Sequence, residues 1–187
     1  MSAEASDIRA VLAAPRYTSR PFPAYRFTPG RDPHPTANPL GHSYQPAGEG
    51  LSAIAWYGPD RWEECDEYLY GCDLYNHGYW WEAHEAWEEV WHLPERASAE
   101  KHFLQGLIQV SACHLKRYLG HLDGVRRLRV SSEEHFSAAR QNIQQEIFMG
   151  IDVQRFLGHV QRYYDNADEK ARLEVSTFPY VVLRRDA

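Results

Sequence analysis

Hydrophobic and polar positions follow helical spacing through most of the chain beyond residue 59. From Asp60 to Asn76 apolar residues recur every three or four positions, and the Asn76-His77-Gly78 step predicts the end of this helix. Tyr79 to Trp91 contains neither Pro nor Gly, and Leu93-Pro94 predicts its end. The pattern therefore predicts two consecutive helices joined by a short turn.

Three more helices are predicted downstream by the same spacing. Ser98 predicts the start of a helix whose body is Lys101 to Leu119, and Gly120 predicts its stop. Asp123 starts a fourth helix that reaches Ile143, with an interruption at Ser131-Ser132 left open, and Asp152 caps a fifth. Helices of this length with short connections predict an all-α, compact antiparallel bundle of about five helices.

The two ends of the chain have a different character. Residues 1–58 hold eight of the eleven Pro together with several aromatic residues, which predicts an extended arm that packs on the bundle rather than a disordered segment. Residues 59–170 are the predicted bundle. Residues 171–187 are a predicted tail, in which Phe178 to Leu183 is β-like but has no partner strand, so we expect it to be extended.

Composition and charge exclude several classes of protein. The chain has 187 residues and a net charge of −6, so nothing in its charge favours binding to nucleic acid. No apolar run approaches the ~18 residues of a membrane span, and the N-terminus lacks a signal peptide's basic start. Three Cys without a C-x-x-C pair argue against disulfides and zinc knuckles, and a reducing cytoplasm is the expected location.

The candidate chemistry is centred on the second helix. On a helical wheel of ~100° per residue, four Trp fall within roughly 60° of His84, and Glu88 lies one turn further on. Glu82, Ala86 and Glu89 point the opposite way. This arrangement predicts a buried His–Glu pair in an aromatic face, with His84 cationic near neutral pH because of Glu88.

A third polar residue, His114, lies on the predicted inward face of the third helix. His84, Glu88 and His114 are a candidate set of ligands for a divalent metal, and Glu85 is a candidate fourth ligand, second-sphere partner or general base. The residues expected to line this polar centre are Trp81, Trp91, Ser111 and Tyr118.

Other interpretations of the same residues remain open. A hydrogen-bonded network that fixes helix register is the favoured alternative to a metal site. His34 and His42 reach the centre if the arm folds over it, although we favour an ordinary loop role for both. The second helix lacks the H-E-x-x-H motif, because position 88 is Glu, so a zinc protease is disfavoured. A di-iron site is disfavoured because Glu89 of the Glu89-x-x-His92 pair points outward.

Two blocks of sequence resemble a known family. Tyr75-Asn76-x-Gly78, followed by Trp81-Glu82-Ala83-His84-Glu85-x-x-Glu88-x-x-Trp91, is similar to the signature of domain of unknown function family 309. The second block is Phe103 to Gln109 with His114, Gly120 and Gly124-x-Arg126-Arg127-Leu128 after it. The resemblance covers about residues 60 to 165. It implies a compact all-α bundle and no established activity.

Three functions therefore stay open from the sequence. The leading one is a soluble helical module whose His/Glu centre is structural or binds a ligand. The alternatives are a metal-dependent enzyme with a His84, Glu88 and His114 site, and a protein–protein adaptor that uses the aromatic arms. The partner is a small molecule or a protein rather than a membrane or nucleic acid, and homo-oligomerisation is left open.

Overall fold

The helices follow the sequence signals closely. The computed structural model describes residues 14–46, 53–166 and 178–184, and within them the chain forms five α-helices, a short 3-10 helix and a two-stranded hairpin. The predicted all-α helical bundle is confirmed. The α-helices are α1 (Asp66–Asn76), α2 (Trp80–Trp91), α3 (Ala99–Tyr118), α4 (Leu122–Asn142) and α5 (Val153–Asn166).

Several helix ends have the predicted caps. The Ser98 side chain accepts a hydrogen bond from the Lys101 amide at 3.2 Å, which satisfies a free amide at the start of α3. The Asp152 carboxylate accepts one from the Arg155 amide at 2.8 Å at the start of α5. Gly78 and Gly120 have φ of +77° and +74°, the left-handed conformation that ends a helix.

Two local predictions are corrected. The predicted first helix is divided, because Cys65 is extended between a 3-10 helix (Pro59–Glu64) and α1. The prediction did not include the hairpin of β1 (Ile147–Phe148) and β2 (Ile151–Asp152). The question left open at Ser131-Ser132 is answered, since α4 runs through both residues without a break.

The core is formed where α2 packs between α1 and α3, and α4 covers the other side of α3. Two glycines within the helices allow close contacts between neighbouring helices. A Cβ at Gly71 would lie 2.4 Å from Nε1 of Trp87, and one at Gly106 would lie 2.8 Å from the ring of Phe136. Gly106, in the middle of α3, therefore permits the close approach of α4.

The arm and the tail pack on the bundle and on each other. Phe27 and Phe178 are buried, and the Tyr17 hydroxyl donates to the Val181 carbonyl at 3.1 Å. Asn76 joins both segments, because its side-chain amide donates to the Pro15 carbonyl at 3.3 Å and to the Val181 carbonyl at 2.8 Å. Residues 1–13, 47–52, 167–177 and 185–187, which include the other parts of the arm and tail and the end of the predicted bundle, lie outside the described residues.

None of the helices within the described residues combines the length and the apolar character that a membrane crossing requires.

Candidate functional site

The buried face of α2 does not lie where the wheel placed it. Trp80, Ala83, Trp87 and Val90 are buried, whereas Trp81, His84, Glu85, Glu88 and Trp91 are half-buried. The centre of the core face is thus rotated by roughly 80° from His84, at ~100° per residue. The prediction failed because Trp81 and Trp91 lie at the rim of the core, where large amphipathic rings pack one side and leave the other in water.

His84, Glu85 and Glu88 converge on this half-buried face. The Nε2 of His84 lies 3.5 Å from a Glu88 carboxylate oxygen, and one ligand atom from each of the three residues lies within 4.8 Å of the other two. The His84 side chain is 32% exposed and the Glu88 side chain 45% exposed. The prediction of a buried His84–Glu88 pair is therefore wrong, and the pair lies in a position open to solvent.

The protonation states of this group differ from an ordinary ion pair. Partial burial raises the pKa of Glu85 to about 7, and the charges of Glu88, Glu89 and Glu82 add to the effect. Burial also lowers the pKa of His84, and the opposing attraction of Glu88 does not offset it. The expected cationic His84 is thus corrected to a neutral imidazole at pH 7, which is the form that binds metals.

His114 does not join this group, contrary to the predicted ligand set. It is completely buried, with its ring 5.5 Å from those of Trp80, Tyr164 and Phe178. Its Nε2 is 2.8 Å from the Tyr75 hydroxyl and its Nδ1 is 2.7 Å from the Tyr164 hydroxyl, so both nitrogens are occupied. Burial lowers the pKa of His114 to about 3.

The hydrogen bonds around His114 define its tautomer. The Tyr75 hydroxyl donates its single hydrogen to the Pro179 carbonyl at 2.9 Å, so it accepts from Nε2–H of His114. The Nδ1 of His114 then accepts from the Tyr164 hydroxyl. His114 is consequently the centre of a structural network that joins α1, α3, α5 and the tail.

A buried His–carboxylate pair does exist on α2, but it involves other residues. Glu82 Oε1 accepts from the Phe27 amide at 2.8 Å and from Nε2 of His42 at 3.0 Å, and the side chains of Glu82 and His42 are each only 5% exposed. The second oxygen, Oε2, is buried and has no hydrogen-bond partner among the described residues. Glu82, which the wheel placed outward, is therefore where the arm attaches to α2.

The periodicity of α2 did not predict this contact. Judged from the sequence of α2 alone, the face that carries Glu82 is polar and should be exposed, but the arm covers it. His42 does reach α2, as the sequence left open, but at Glu82 rather than at His84. The other arm histidine, His34, packs its ring 5.5 Å from that of Trp81.

The remaining predicted lining residues are dispersed. The Ser111 hydroxyl is buried and donates to the Trp80 carbonyl at 2.6 Å. Tyr118 is 36% exposed at the end of α3, near Trp80. Trp91 stacks beneath the Lys101 ammonium, which lies 4.0 Å from its ring centre. Trp81 and Trp91 share the half-buried face of His84, Glu85 and Glu88 by helical position, with Trp91 two turns further along α2.

Fold and site together define an all-α bundle protein with a His–carboxylate group on the outer face of its second helix. Residues 68–128, which run from α1 into α4, match the model of the family described as domain of unknown function (DUF309), so the resemblance found in the sequence is confirmed. No curated protein matches the chain.

Proposed function

We propose that the protein binds a divalent transition-metal ion through His84, Glu85 and Glu88. The observation that carries this proposal is the convergence of one imidazole nitrogen and two carboxylate oxygens within 4.8 Å of one another. Bonds from such ligands to zinc are ~2.0–2.2 Å, so small side-chain rotations would bring all three onto one ion. A cytoplasmic location belongs to the same proposal, supported by three buried free thiols.

The donor set suits this role. One imidazole and two carboxylates match the preferences of Zn²⁺, Mn²⁺ and Fe²⁺, and they are too few to saturate the ion. The half-buried position of the group leaves the remaining coordination positions on the outer side of α2. A bound metal would supply a Lewis acid there. Glu85, whose pKa is about 7 without metal, would have to release its proton to bind the ion, so metal affinity should rise with pH.

The alternative interpretation, a hydrogen-bonded network that fixes helix register, loses support at His84 and Glu88. The role of a polar network that organises the core is carried by His114 with Tyr75 and Tyr164. Within the described residues no hydrogen bond or ion pair connects His84 or Glu88 to another helix or to the arm. A half-exposed pair of this kind contributes little to stability, so the fold does not account for it.

Metal analysis of protein purified without a His-tag tests the proposal. We expect about one equivalent of zinc, manganese or iron after dialysis against each ion, and loss of that metal in His84→Ala and Glu88→Gln. The matched control is Glu89→Gln, which removes the same charge from the same helix at an exposed position outside the group. Equal metal content in all four proteins, or none in the wild type, would reject the proposal.

A further inference from the structure

A cavity of about 320 Å³ lies between the arm and the bundle, apart from the His84 group. Its bundle side is formed by Gly78, Trp80 at the start of α2, and Leu115 and Tyr118 at the end of α3. Its arm side is formed by residues 25–28 with Arg31 and Asp32. This volume is at the lower end of the range for small-molecule sites.

The walls of this cavity combine apolar surface with positive charge. Phe27 and Trp80 are buried, and Leu115 is half-buried beside them. Arg26 and Arg31 both line the cavity, and Asp32 is the one carboxylate among the lining residues. The formal charge of the lining is therefore +2 − 1 = +1, in a chain whose total charge is −6.

Neither arginine has a carboxylate partner within the described residues. The Arg26 guanidinium lies 5.2 Å from the Tyr79 ring centre and next to Gly78, and no ion pair is found for Arg31. The Asp32 carboxylate accepts from the Thr28 amide at 2.9 Å, which holds it in the turn of the arm. By contrast, Arg20, also on the arm, binds Glu67 at 2.6 Å.

The indole N–H of Trp80 is also buried without a hydrogen-bond partner among the described residues. An unmade hydrogen bond of this kind is uncommon in a packed interior. This N–H is itself covered, so Trp80 contributes the apolar part of its ring to the cavity wall, and the polar donors of the lining are the exposed side chains of Arg26 and Arg31.

We propose that this cavity binds a small organic monocarboxylate. Its apolar body would pack against Trp80, Phe27 and Leu115, and its carboxylate would receive hydrogen bonds from Arg26 and Arg31. Guanidinium groups pair with carboxylates in a planar, two-bond geometry, which favours this acid class over a neutral ligand. The +1 charge of the lining matches a monoanion rather than a phosphate dianion.

Calorimetric titration with matched probes tests the chemical class. The probes are hexanoate, 3-phenylpropionate and 4-phenylbutyrate, each beside its primary amide, with phenyl phosphate as the dianion. We expect at least one acid to bind at least tenfold more tightly than its amide and to shift the indole N–H resonance of Trp80. Equal binding of acids and amides, no binding by any acid, or tighter binding of phenyl phosphate would overturn the proposal.

Charge-matched variants test the location. Arg26→Gln and Arg31→Gln should each weaken binding of the best acid about tenfold. Arg96→Gln, an exposed arginine in the α2–α3 connection that does not line the cavity, should leave it unchanged. Unchanged binding in both cavity variants, or an equal loss in the control, would place the acid elsewhere. Metal content is measured on the same proteins, and because neither arginine belongs to the His84 group, failure here is distinct from failure of the metal site.

Discussion

Helix α2 carries two His–carboxylate pairs that differ in almost every physical respect. Glu82 and His42 lie 3.0 Å apart with 5% of each side chain exposed, and the pair joins elements 40 residues apart in sequence. His84 and Glu88 lie 3.5 Å apart with a third to a half of each side chain exposed, and both belong to one helix. Both pairs consist of a His and a Glu. They differ because the arm covers the first pair and leaves the second open to solvent.

The covering segment decides what each pair can do. Under the arm, the Glu82 carboxylate has lost its water and depends on His42 and the Phe27 amide for compensation. On the open side, His84 and Glu88 keep part of their hydration and remain accessible to an ion. The first pair is thus suited to holding the fold, and the second is suited to exchange with solvent.

Removing Glu82 should have the largest effect. Glu82→Ala leaves the Phe27 amide and His42 without their acceptor, and we expect the free energy of unfolding to fall by about 3 kcal/mol. Urea denaturation followed by circular dichroism measures this loss. Glu89→Ala, at an exposed site of the same helix, is the control and should change stability by less than about 0.5 kcal/mol. Equal effects of the two variants would mean that the arm does not seal Glu82.

Glu85 should give a smaller, pH-dependent effect. Its pKa is raised from 4.5 to about 7 on folding, mainly by burial, so the folded state holds a proton that the unfolded state releases. Its contribution to the free energy of unfolding therefore falls as pH rises from about 4.5 to about 7. Glu85→Gln removes this dependence, and with chelator present it should exceed the wild type at pH 8 by of order 1 kcal/mol, after allowance for partial exposure.

Thermal unfolding at pH 4 and pH 8 measures the Glu85 effect. The two proteins should differ less at pH 4, where the carboxyl group is mostly protonated in both states. A difference that is the same at both pH values would show that the proton is not responsible.

The His84–Glu88 pair should give the smallest effect on stability. In metal-free protein, His84→Ala is expected to lower the free energy of unfolding by less than about 1 kcal/mol, because the pair is half-exposed and confined to one helix. Denaturation is then repeated with zinc. Zinc should raise the free energy of unfolding of the wild type and leave that of His84→Ala unchanged. A loss of several kcal/mol without metal would instead assign a structural role to this pair.

The helices and their ends were predictable because their signals are local. Ser98 and Asp152 cap helices through amides three residues away, and Gly78 and Gly120 have the backbone conformation that stops a helix. The burial of Glu82 was not predictable in this way. It depends on an arm segment 40 residues earlier in the chain, and no periodicity within α2 encodes that contact.

The candidate site was predicted in part for a related reason. His84 and Glu88 lie one turn apart on one helix, and Glu85 lies within one turn of Glu88, so their grouping depends on α2 alone. To predict whether His114 joins this group, one must know how α2 and α3 are rotated relative to each other, and helical spacing does not give that rotation. The sequence placed His114 correctly in the core, but it did not show that Tyr75 and Tyr164 occupy both ring nitrogens.

The position of Asn76 has a consequence for synthesis on the ribosome. Its side chain binds the Val181 amide and carbonyl, each at 2.8 Å, and Phe178 packs against the His114 ring. Residues 178–183 are translated after every helix of the described residues, so the ribosome synthesises those helices before this segment. Until residues 178–181 have been added, the Tyr75 hydroxyl lacks the Pro179 carbonyl to which it donates, and the His114 ring lacks its contact with Phe178.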